Sequence, residues 1–270
     1  MKLAKQMVAK PWGRCDIPGS FAVPAGQRIG EIWYEAPEGG NSPLLVKWLF
    51  TSEKLSVQVH PNDAQAKARG YLSGKEECWY IVSAQPGSLL GIGLRQAISK
   101  DDLRAAALSG GIEALIDWRP VHAGEYYYIP AGTIHAIGPG ITLVEVQQHA
   151  DITYRLYDYG RLDNGHLRTL HLDDALAVAT LLPYSDSRSG KAKTGAMLTD
   201  GPFFRLLLAD AGSRDKISGL TGSKWIVPVA GAVSIDEEIV DVGECLLASE
   251  DAVIDLTDDG LALIAAAVLR

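Results

Sequence analysis

The feature that most restricts the fold is the length of the apolar runs, which are short and bounded by turn residues. Residues 44–50 are apolar at almost every position, as expected for a strand that is buried on both faces. Residues 77–83, 141–148 and 261–268 are further runs of strand length. The 28 glycines and 13 prolines supply turns between such runs. The chain is therefore predicted to be mainly β.

Helical patterns are few and short. They are predicted at residues 62–68, 99–116 and 173–182. The first begins at a capping residue, Asn62 or Asp63. In the second, Ser99 forms a capping signal with Asp102, and the pair of glycines at 110–111 divides the segment into two helices.

A weak internal repeat predicts that one β unit occurs twice. Residues 123–129 and 242–248 both place a Gly-Glu turn before an apolar strand. Residues 185–195 are small and polar, which is typical of a linker. Short strands, little helix and a duplicated unit predict two jelly-roll barrels of the cupin kind. We expect a first domain at 1–184 with the helical segment 99–116, a linker at 185–195 and a second domain at 196–270.

The segment 55–61 carries the first candidate metal ligands. Its residues alternate, so a strand would place Leu55, Val57 and Val59 on one face and Ser56, Gln58 and His60 on the other. Gln58 and His60 would then be half of a metal site if two further donors faced them. Glu77 and His135 are the downstream candidates. The alternative is that Gln58 and His60 belong to an ordinary solvated strand face.

Together these four residues offer two imidazole nitrogens, one carboxylate oxygen and one amide oxygen. Such a set suits Zn²⁺ or another first-row divalent ion. Glu76 is an alternative carboxylate, but strand alternation favours Glu77, which leads directly into an apolar run. No histidine follows His171, so only the first barrel can hold a histidine-based metal.

Six sequence blocks carry a resemblance to a known family, namely residues 10–13, 30–33, 55–62, 75–80, 130–136 and 145–155. They resemble the type I, zinc-dependent mannose-6-phosphate isomerases in their short bacterial form. The resemblance covers roughly residues 8–180 and implies a zinc-dependent aldose–ketose isomerase that interconverts mannose 6-phosphate and fructose 6-phosphate through an enediolate. It also implies one Zn²⁺ per chain.

The resemblance further implies roles for individual residues. Zinc would be held by Gln58, His60, Glu77 and His135. Arg155, Lys75 and Glu145 would be catalytic, while Ser56 and Lys75 would bind substrate, with Ser56 at the phosphate end. His149 departs from the family pattern, and we expect it at the surface.

Composition limits the partners and the location. A formal net charge of -8 argues against nucleic acid or an anionic membrane as the main partner. Three widely spaced cysteines make no disulfide framework, and the N-terminus lacks the apolar core of a signal peptide. We therefore expect a soluble, cytoplasmic monomer or homodimer that acts on a small sugar phosphate.

Two other functions remain open at this point. A cupin with nitrogen and oxygen ligands could be an iron oxygenase, although such enzymes keep facial positions open and Gln58 would fill one here. A sugar-binding cupin without turnover is the second alternative. The presence of Lys75 and Arg155 beside a full ligand set argues against it.

Overall fold

The computed structural model describes residues 1–35, 42–163, 165–236 and 238–268. The N-terminal strands are β1 (Ala4–Arg14), β2 (Ile29–Glu35), β3 (Leu44–Phe50), β4 (Val57–Val59), β5 (Glu77–Ala84), β6 (Leu89–Leu94), β7 (Ile116–Pro120), β8 (Glu125–Ile129), β9 (His135–Ile137), β10 (Ile141–Gln148), β11 (Tyr154–Tyr157), β12 (Leu162–Asp163), β13 (His166–Leu167) and β14 (Gly190–Lys191). The C-terminal strands are β15 (Ala196–Asp200), β16 (Phe204–Ala209), β17 (Lys224–Ala230), β18 (Ala232–Ile235), β19 (Glu238–Asp241), β20 (Leu246–Ala248), β21 (Ile254–Leu256) and β22 (Leu261–Ala267). The α-helices are α1 (Asp63–Lys67), α2 (Lys100–Ser109), α3 (Ile112–Leu115), α4 (Leu172–Val178) and α5 (Arg214–Ser218).

The N-terminal part is built from two antiparallel sheets that face each other. The larger sheet has the strand order β1-β2-β3-β10-β5-β8-β14, and the smaller has the order β11-β4-β9-β6-β7. Apolar side chains from both sheets, among them Leu49, Ile81, Ile92 and Leu143, fill one end of the space between them. Helices α2, α3 and α4 cover the outer face of the smaller sheet. This arrangement is a jelly-roll barrel.

The inner face of the larger sheet changes from apolar to charged along its strands. Leu143 of β10 lies opposite Leu49 of β3, but two residues further along Glu145 lies opposite Lys47. In the next row, Gln147 lies opposite Glu77 of β5. Because side chains on one face of a strand recur every two residues, the same strands line both the apolar core and a polar end of the barrel.

The C-terminal part repeats part of the order of the larger N-terminal sheet. Its five-stranded sheet runs β15-β16-β22-β17-β20, and a three-stranded sheet, β19-β18-β21, faces it. The order β22-β17-β20 corresponds to β10-β5-β8 in the first barrel. Gly124 and Gly243 precede β8 and β20 with φ angles of 80° and 93°, a conformation that favours glycine. The internal repeat therefore occupies equivalent places, and the prediction of two jelly-roll barrels is confirmed.

The two barrels share one apolar core. The outer face of the larger sheet, including Trp48 and Val146, packs against Phe204 and Trp225 of the C-terminal sheet. Every residue of β3 is buried, which confirms that this strand has no solvent-exposed face. Segment 185–195 also lies against the first barrel, because β14 pairs with β8. Its role as a domain linker stays a prediction.

The predicted helices are found, with one correction. Asn62 caps α1 with its side chain, and Ser99 caps α2, which ends at Gly110 in the left-handed conformation. Helix α4 ends at Val178, four residues earlier than predicted. There the chain turns into an extended path, and the Thr180 amide donates to Gly132 O at 2.7 Å, outside the helix. None of the described helices is long and apolar enough to cross a bilayer.

The shared core predicts that a C-terminal side chain stabilises the whole protein. Phe204 is fully buried in it, so Phe204→Ala should lower the free energy of unfolding by about 3–5 kcal/mol. Met197→Ala in the neighbouring strand is the control, since Met197 is exposed and should change stability by less than about 0.5 kcal/mol. Urea unfolding followed by circular dichroism measures both. Equal unfolding midpoints for the two variants would contradict the shared core.

Candidate metal centre and cleft

Three strands bring His60, Glu77 and His135 together at the polar end of the first barrel. His60 directly follows β4, Glu77 begins β5 and His135 begins β9. All three side chains are buried, and their ligand atoms lie within 4.8 Å of one another. His60 Nε2 is 3.5 Å from Glu77 Oε2, and His135 Nε2 is 3.5 Å from Glu77 Oε1. The carboxylate thus lies between two imidazoles.

Backbone carbonyls orient both imidazoles. His60 Nδ1 donates to Ile152 O at 2.8 Å, and His135 Nδ1 donates to Thr133 O at 2.9 Å. A carbonyl can only accept, so each Nδ1 carries the proton and each Nε2 presents a lone pair. Burial, together with Lys75, holds the pKa of His60 well below its ordinary value. Burial lowers the pKa of His135 to about 4. Both side chains are therefore neutral donors near pH 7.

Gln58 lies beside this group. It is the residue of β4 that pairs with His135 of β9, and its Nε2 is 3.3 Å from His135 Nε2. A metal would take the amide oxygen, and a half-turn about the last side-chain bond exchanges the two ends of the amide. Ser56 Oγ donates to Gln58 Oε1 at 3.3 Å. The structure therefore brings together all four residues that the sequence proposed as ligands.

The spacing of these atoms fits a small divalent cation. Bonds of about 2.0–2.1 Å place the donors of a tetrahedral zinc site roughly 3.3–3.4 Å apart. The contacts that His60 and His135 make with Glu77 are 3.5 Å long, which is close to that value. Both carboxylate oxygens of Glu77 are buried without a hydrogen bond, an unfavourable state that a bound cation relieves. The cluster can hold a metal ion.

The ambiguity between Glu76 and Glu77 is resolved by their side chains. Glu76 accepts a hydrogen bond from the Tyr128 hydroxyl and takes no part in the histidine cluster. His149 is exposed, and its Nδ1 donates to Ser42 O at 2.8 Å. Both findings agree with the expectations from the sequence.

Buried charges of alternating sign adjoin the cluster. Lys75 Nζ lies 3.2 Å from Glu77 Oε2, 3.3 Å from His60 Nε2 and 4.0 Å from Glu145 Oε1. Lys47 Nζ lies 3.5 Å from the same Glu145 oxygen. The other oxygen of Glu145 accepts a hydrogen bond from Trp79 Nε1 at 3.1 Å. Each buried charge in this row thus has an opposite charge next to it.

The pKa values follow from this arrangement. Burial opposes the charge of Lys75, but Glu77 and Glu145 outweigh it and raise the lysine pKa. Burial and the negative charge of Glu77 raise the pKa of Glu145. Burial and Lys75 lower the pKa of Lys47. Lys75 therefore stays protonated and positively charged beside the candidate ligands.

A cleft of about 620 Å³ opens above Gln58, Lys75 and Glu145. That volume is in the range of small-molecule sites. Its lining includes five further basic side chains, which are Lys10, Lys47, Arg69, Arg155 and Arg168. Ser56 and Arg155 both line it, and Arg155 of β11 pairs with Gln58 of β4. The cleft therefore contains Ser56, Lys75, Glu145 and Arg155, the residues expected near substrate.

Sequence reasoning missed several residues of the cleft. Lys47, Glu31, Lys10, Arg69, Arg168 and His171 line it but were not proposed. Lys47 had a usable signal, because it is the only charged residue in the apolar run 44–50. A buried strand tolerates a lysine only where a partner meets its charge. Lys10 and Glu31 lie in blocks 10–13 and 30–33, which carry the family resemblance. For Arg69, Arg168 and His171, the sequence shows no comparable signal.

Comparisons with known proteins find relatives of similar sequence and structures of similar fold. No protein-family model matches the chain. Mannose-6-phosphate isomerase from Streptococcus mutans is 42% identical over 163 residues, which is 58% of this chain and 51% of that protein. Mannose-6-phosphate isomerase ManA from Bacillus subtilis is 42% identical over 162 residues, 57% of this chain and 51% of that protein. The match thus spans about half the length of these curated relatives.

Solved structures show the same fold along nearly the whole chain. The crystal structure of mannose 6-phosphate isomerase from Bacillus subtilis superposes with a TM-score of 0.76, at 24% identity and covering 98% of each chain. A variant of phosphomannose isomerase from Salmonella typhimurium superposes with a TM-score of 0.72, at 15% identity and covering 99% of each chain. The chain has the two-barrel fold of these isomerases.

The metal centre predicts a loss of bound ion when one imidazole is removed. His135→Ala and His60→Ala should each weaken the affinity for divalent metal by more than about tenfold, and so lower the metal content, because loss of a hydrogen-bond partner of a ligand alone costs about 10- to 100-fold in affinity. Metal analysis of the purified proteins measures this. His149→Ala is the matched control, because it removes an exposed histidine and should keep the full metal content. Full metal in His60→Ala or His135→Ala would exclude that residue as a ligand.

Proposed function

We propose that this protein is a metal-dependent aldose–ketose isomerase that interconverts mannose 6-phosphate and fructose 6-phosphate. The observation that carries the proposal is the position of Lys75 and Glu145. Both lie beside a buried group of metal donors and line the same cleft. Similarity to mannose-6-phosphate isomerases over more than half of the chain supports the choice of substrate.

The proposed metal is Zn²⁺, one per chain, held by Gln58, His60, Glu77 and His135. Two imidazoles, one carboxylate and one amide suit zinc, and Glu77 contributes the only negative charge among the four. A divalent ion held in this way keeps a net positive charge and supplies Lewis-acid stabilisation to substrate oxygens.

Isomerisation moves a proton between C1 and C2 and passes through an enediolate. Glu145 is proposed to take part in that proton movement, because it is a buried carboxyl group held by Trp79 and flanked by Lys47 and Lys75. Lys75 is proposed to bind substrate oxygens and to stabilise negative charge as it develops. Ser56, on the cleft wall beside Gln58, is proposed as a further contact for the substrate.

The C-terminal barrel is proposed to act structurally. Its only contribution to the large cleft would be indirect, because the described lining residues all precede residue 175. It covers the outer face of the sheet that carries Lys47, Glu77 and Glu145. We further propose that the protein works in the cytoplasm with a small sugar phosphate as its partner.

A coupled isomerase assay on mannose 6-phosphate tests the proposed function directly. The purified, metal-loaded protein should convert it to fructose 6-phosphate, and chelation followed by zinc should remove and restore the activity. Oxygen uptake with bound iron and no isomerisation would identify an oxygenase instead. Binding of the sugar phosphate without turnover would identify a sugar-binding cupin.

Arg155 gives a sharper prediction about the reaction. It lines the cleft and is not among the metal donors, so Arg155→Ala should keep the metal. If its guanidinium stabilises the enediolate, the turnover number should fall by about 100- to 1,000-fold. Arg155→Lys should restore little, because an ammonium group cannot reproduce the planar fork of arginine.

Steady-state kinetics and metal analysis on the same preparations decide the point. A raised KM with unchanged turnover would assign Arg155 to substrate binding alone. Unchanged values of both constants would remove Arg155 from the site.

A further inference from the structure

A basic recess adjoins the cleft on the side of Arg155. It has a volume of about 360 Å³ and is lined by Arg155, His166, Leu167, Arg168, Thr169 and His171. Three of these residues, Arg155, Arg168 and His171, also line the main cleft, so the two spaces adjoin each other along these side chains. Among the described lining residues of the recess there is no carboxylate. Two guanidinium groups and two imidazoles around one small space suit an oxyanion.

A buried carboxylate positions Arg168. Arg168 Nη1 lies 3.2 Å from Asp158 Oδ2, and Arg161 Nη1 lies 3.1 Å from Oδ1 of the same residue. Asp158 is 4% exposed, so these contacts are shielded from solvent. Arg161 also approaches the exposed Glu53 at 3.8 Å and does not line the recess. One buried carboxylate therefore holds two guanidinium groups, of which only Arg168 faces the recess.

His171 offers a fixed hydrogen-bond donor to the same space. Its Nδ1 accepts a hydrogen bond from the Arg155 amide at 3.2 Å. The ring proton of the neutral imidazole is therefore on Nε2, and the protonated form keeps a proton there as well. In either state His171 can donate to an anion.

At the other end of the cleft, polar side chains already contact the candidate metal ligands. Ser56 Oγ donates a hydrogen bond to Gln58 Oε1, and Lys75 Nζ lies 3.2 Å from Glu77 Oε2. In an aldose 6-phosphate, the reacting carbons C1 and C2 are several covalent bonds away from the phosphorus. Groups that contact the reacting carbons at the metal donors are thus poorly placed to bind the phosphate of an extended substrate.

We infer that the phosphate of the substrate binds in the recess, on Arg168 and His171, with Arg155 between this subsite and the metal donors. The inference rests on the proposed function for the identity of the substrate. It replaces the expectation that Ser56 lies at the phosphate end, and assigns Ser56 to the sugar end instead.

Binding of inorganic phosphate to the metal-loaded protein tests the subsite without turnover. Calorimetry should show that Arg168→Ala weakens phosphate binding by about 10- to 100-fold, as expected for loss of a charged hydrogen bond. Arg161→Ala is the matched control, because it breaks the other contact of Asp158 but removes nothing from the recess. It should change phosphate affinity by less than about twofold. His171→Asn keeps an acceptor for the Arg155 amide and should weaken binding as well, which provides a second variant if Arg168→Ala does not fold.

Kinetics on mannose 6-phosphate complete the test. The KM of Arg168→Ala should rise by a similar factor while the turnover number changes little. If Arg168→Ala and Arg161→Ala behave alike, or if Ser56→Ala is the variant that loses phosphate affinity, the inference is wrong although the protein remains an isomerase. If phosphate binds as expected but mannose 6-phosphate is not turned over, the anion subsite stands and the proposed function fails.

Discussion

The polar end of the first barrel is arranged around one buried carboxylate, that of Glu77. Burying an ionised carboxyl group is strongly unfavourable unless cations or hydrogen bonds compensate for the lost water. Here both oxygens lack hydrogen bonds and face His60, His135 and the ammonium group of Lys75. Because the imidazoles are neutral, the protein itself balances the negative charge of Glu77 only through Lys75. A bound divalent ion would balance it as well. The candidate ligands and the lysine two residues before Glu77 therefore form one electrostatic unit.

Further buried side chains of alternating charge continue this unit across the sheet. Lys75 lies between Glu77 and Glu145, and Glu145 lies between Lys75 and Lys47. Removing any member would leave a neighbour buried without its partner, which costs more than the pair contributes. The row also places a lysine and a carboxyl group, both shielded from bulk water, next to the metal donors. Shielding strengthens each electrostatic contact.

Sequence patterns predicted the parts of the site that are local in the chain. The alternation at 55–61 placed Gln58 and His60 together, and the capping residues Asn62 and Ser99 placed two helices correctly. Leu55 departs from the pattern, because it precedes β4 and packs in the barrel interior with residues such as Leu49. The alternation therefore holds from Ser56, which lines the cleft with Gln58, to His60.

Glu77 and His135, which are distant from Gln58 and His60 in the chain, were assigned through the family resemblance, but other contacts between distant segments were not predicted. Lys47 meets Glu145 only because β3 and β10 pair in one register, and no short pattern encodes the register of strands so far apart. The recess at Arg168 likewise depends on Asp158 and on the path of the chain after β11. After the early end of α4, the Thr180 amide donates to Gly132 O, which is again a contact with a distant segment.

The second barrel explains how the register of the larger sheet is held. On β3, Lys47 faces the cleft while Val46 and Trp48 face the C-terminal sheet, where Phe204 and Trp225 pack. A slip of one residue would turn Lys47 into that apolar core and would bring Trp48 into the charged row. The slip would be unfavourable on both faces of the strand. The outer face would bury the charge of Lys47 among apolar side chains, and it would lose the packing of Trp48. Packing against the C-terminal barrel thus favours the register that places the charged groups in the cleft, although none of that barrel's described residues lines the cleft.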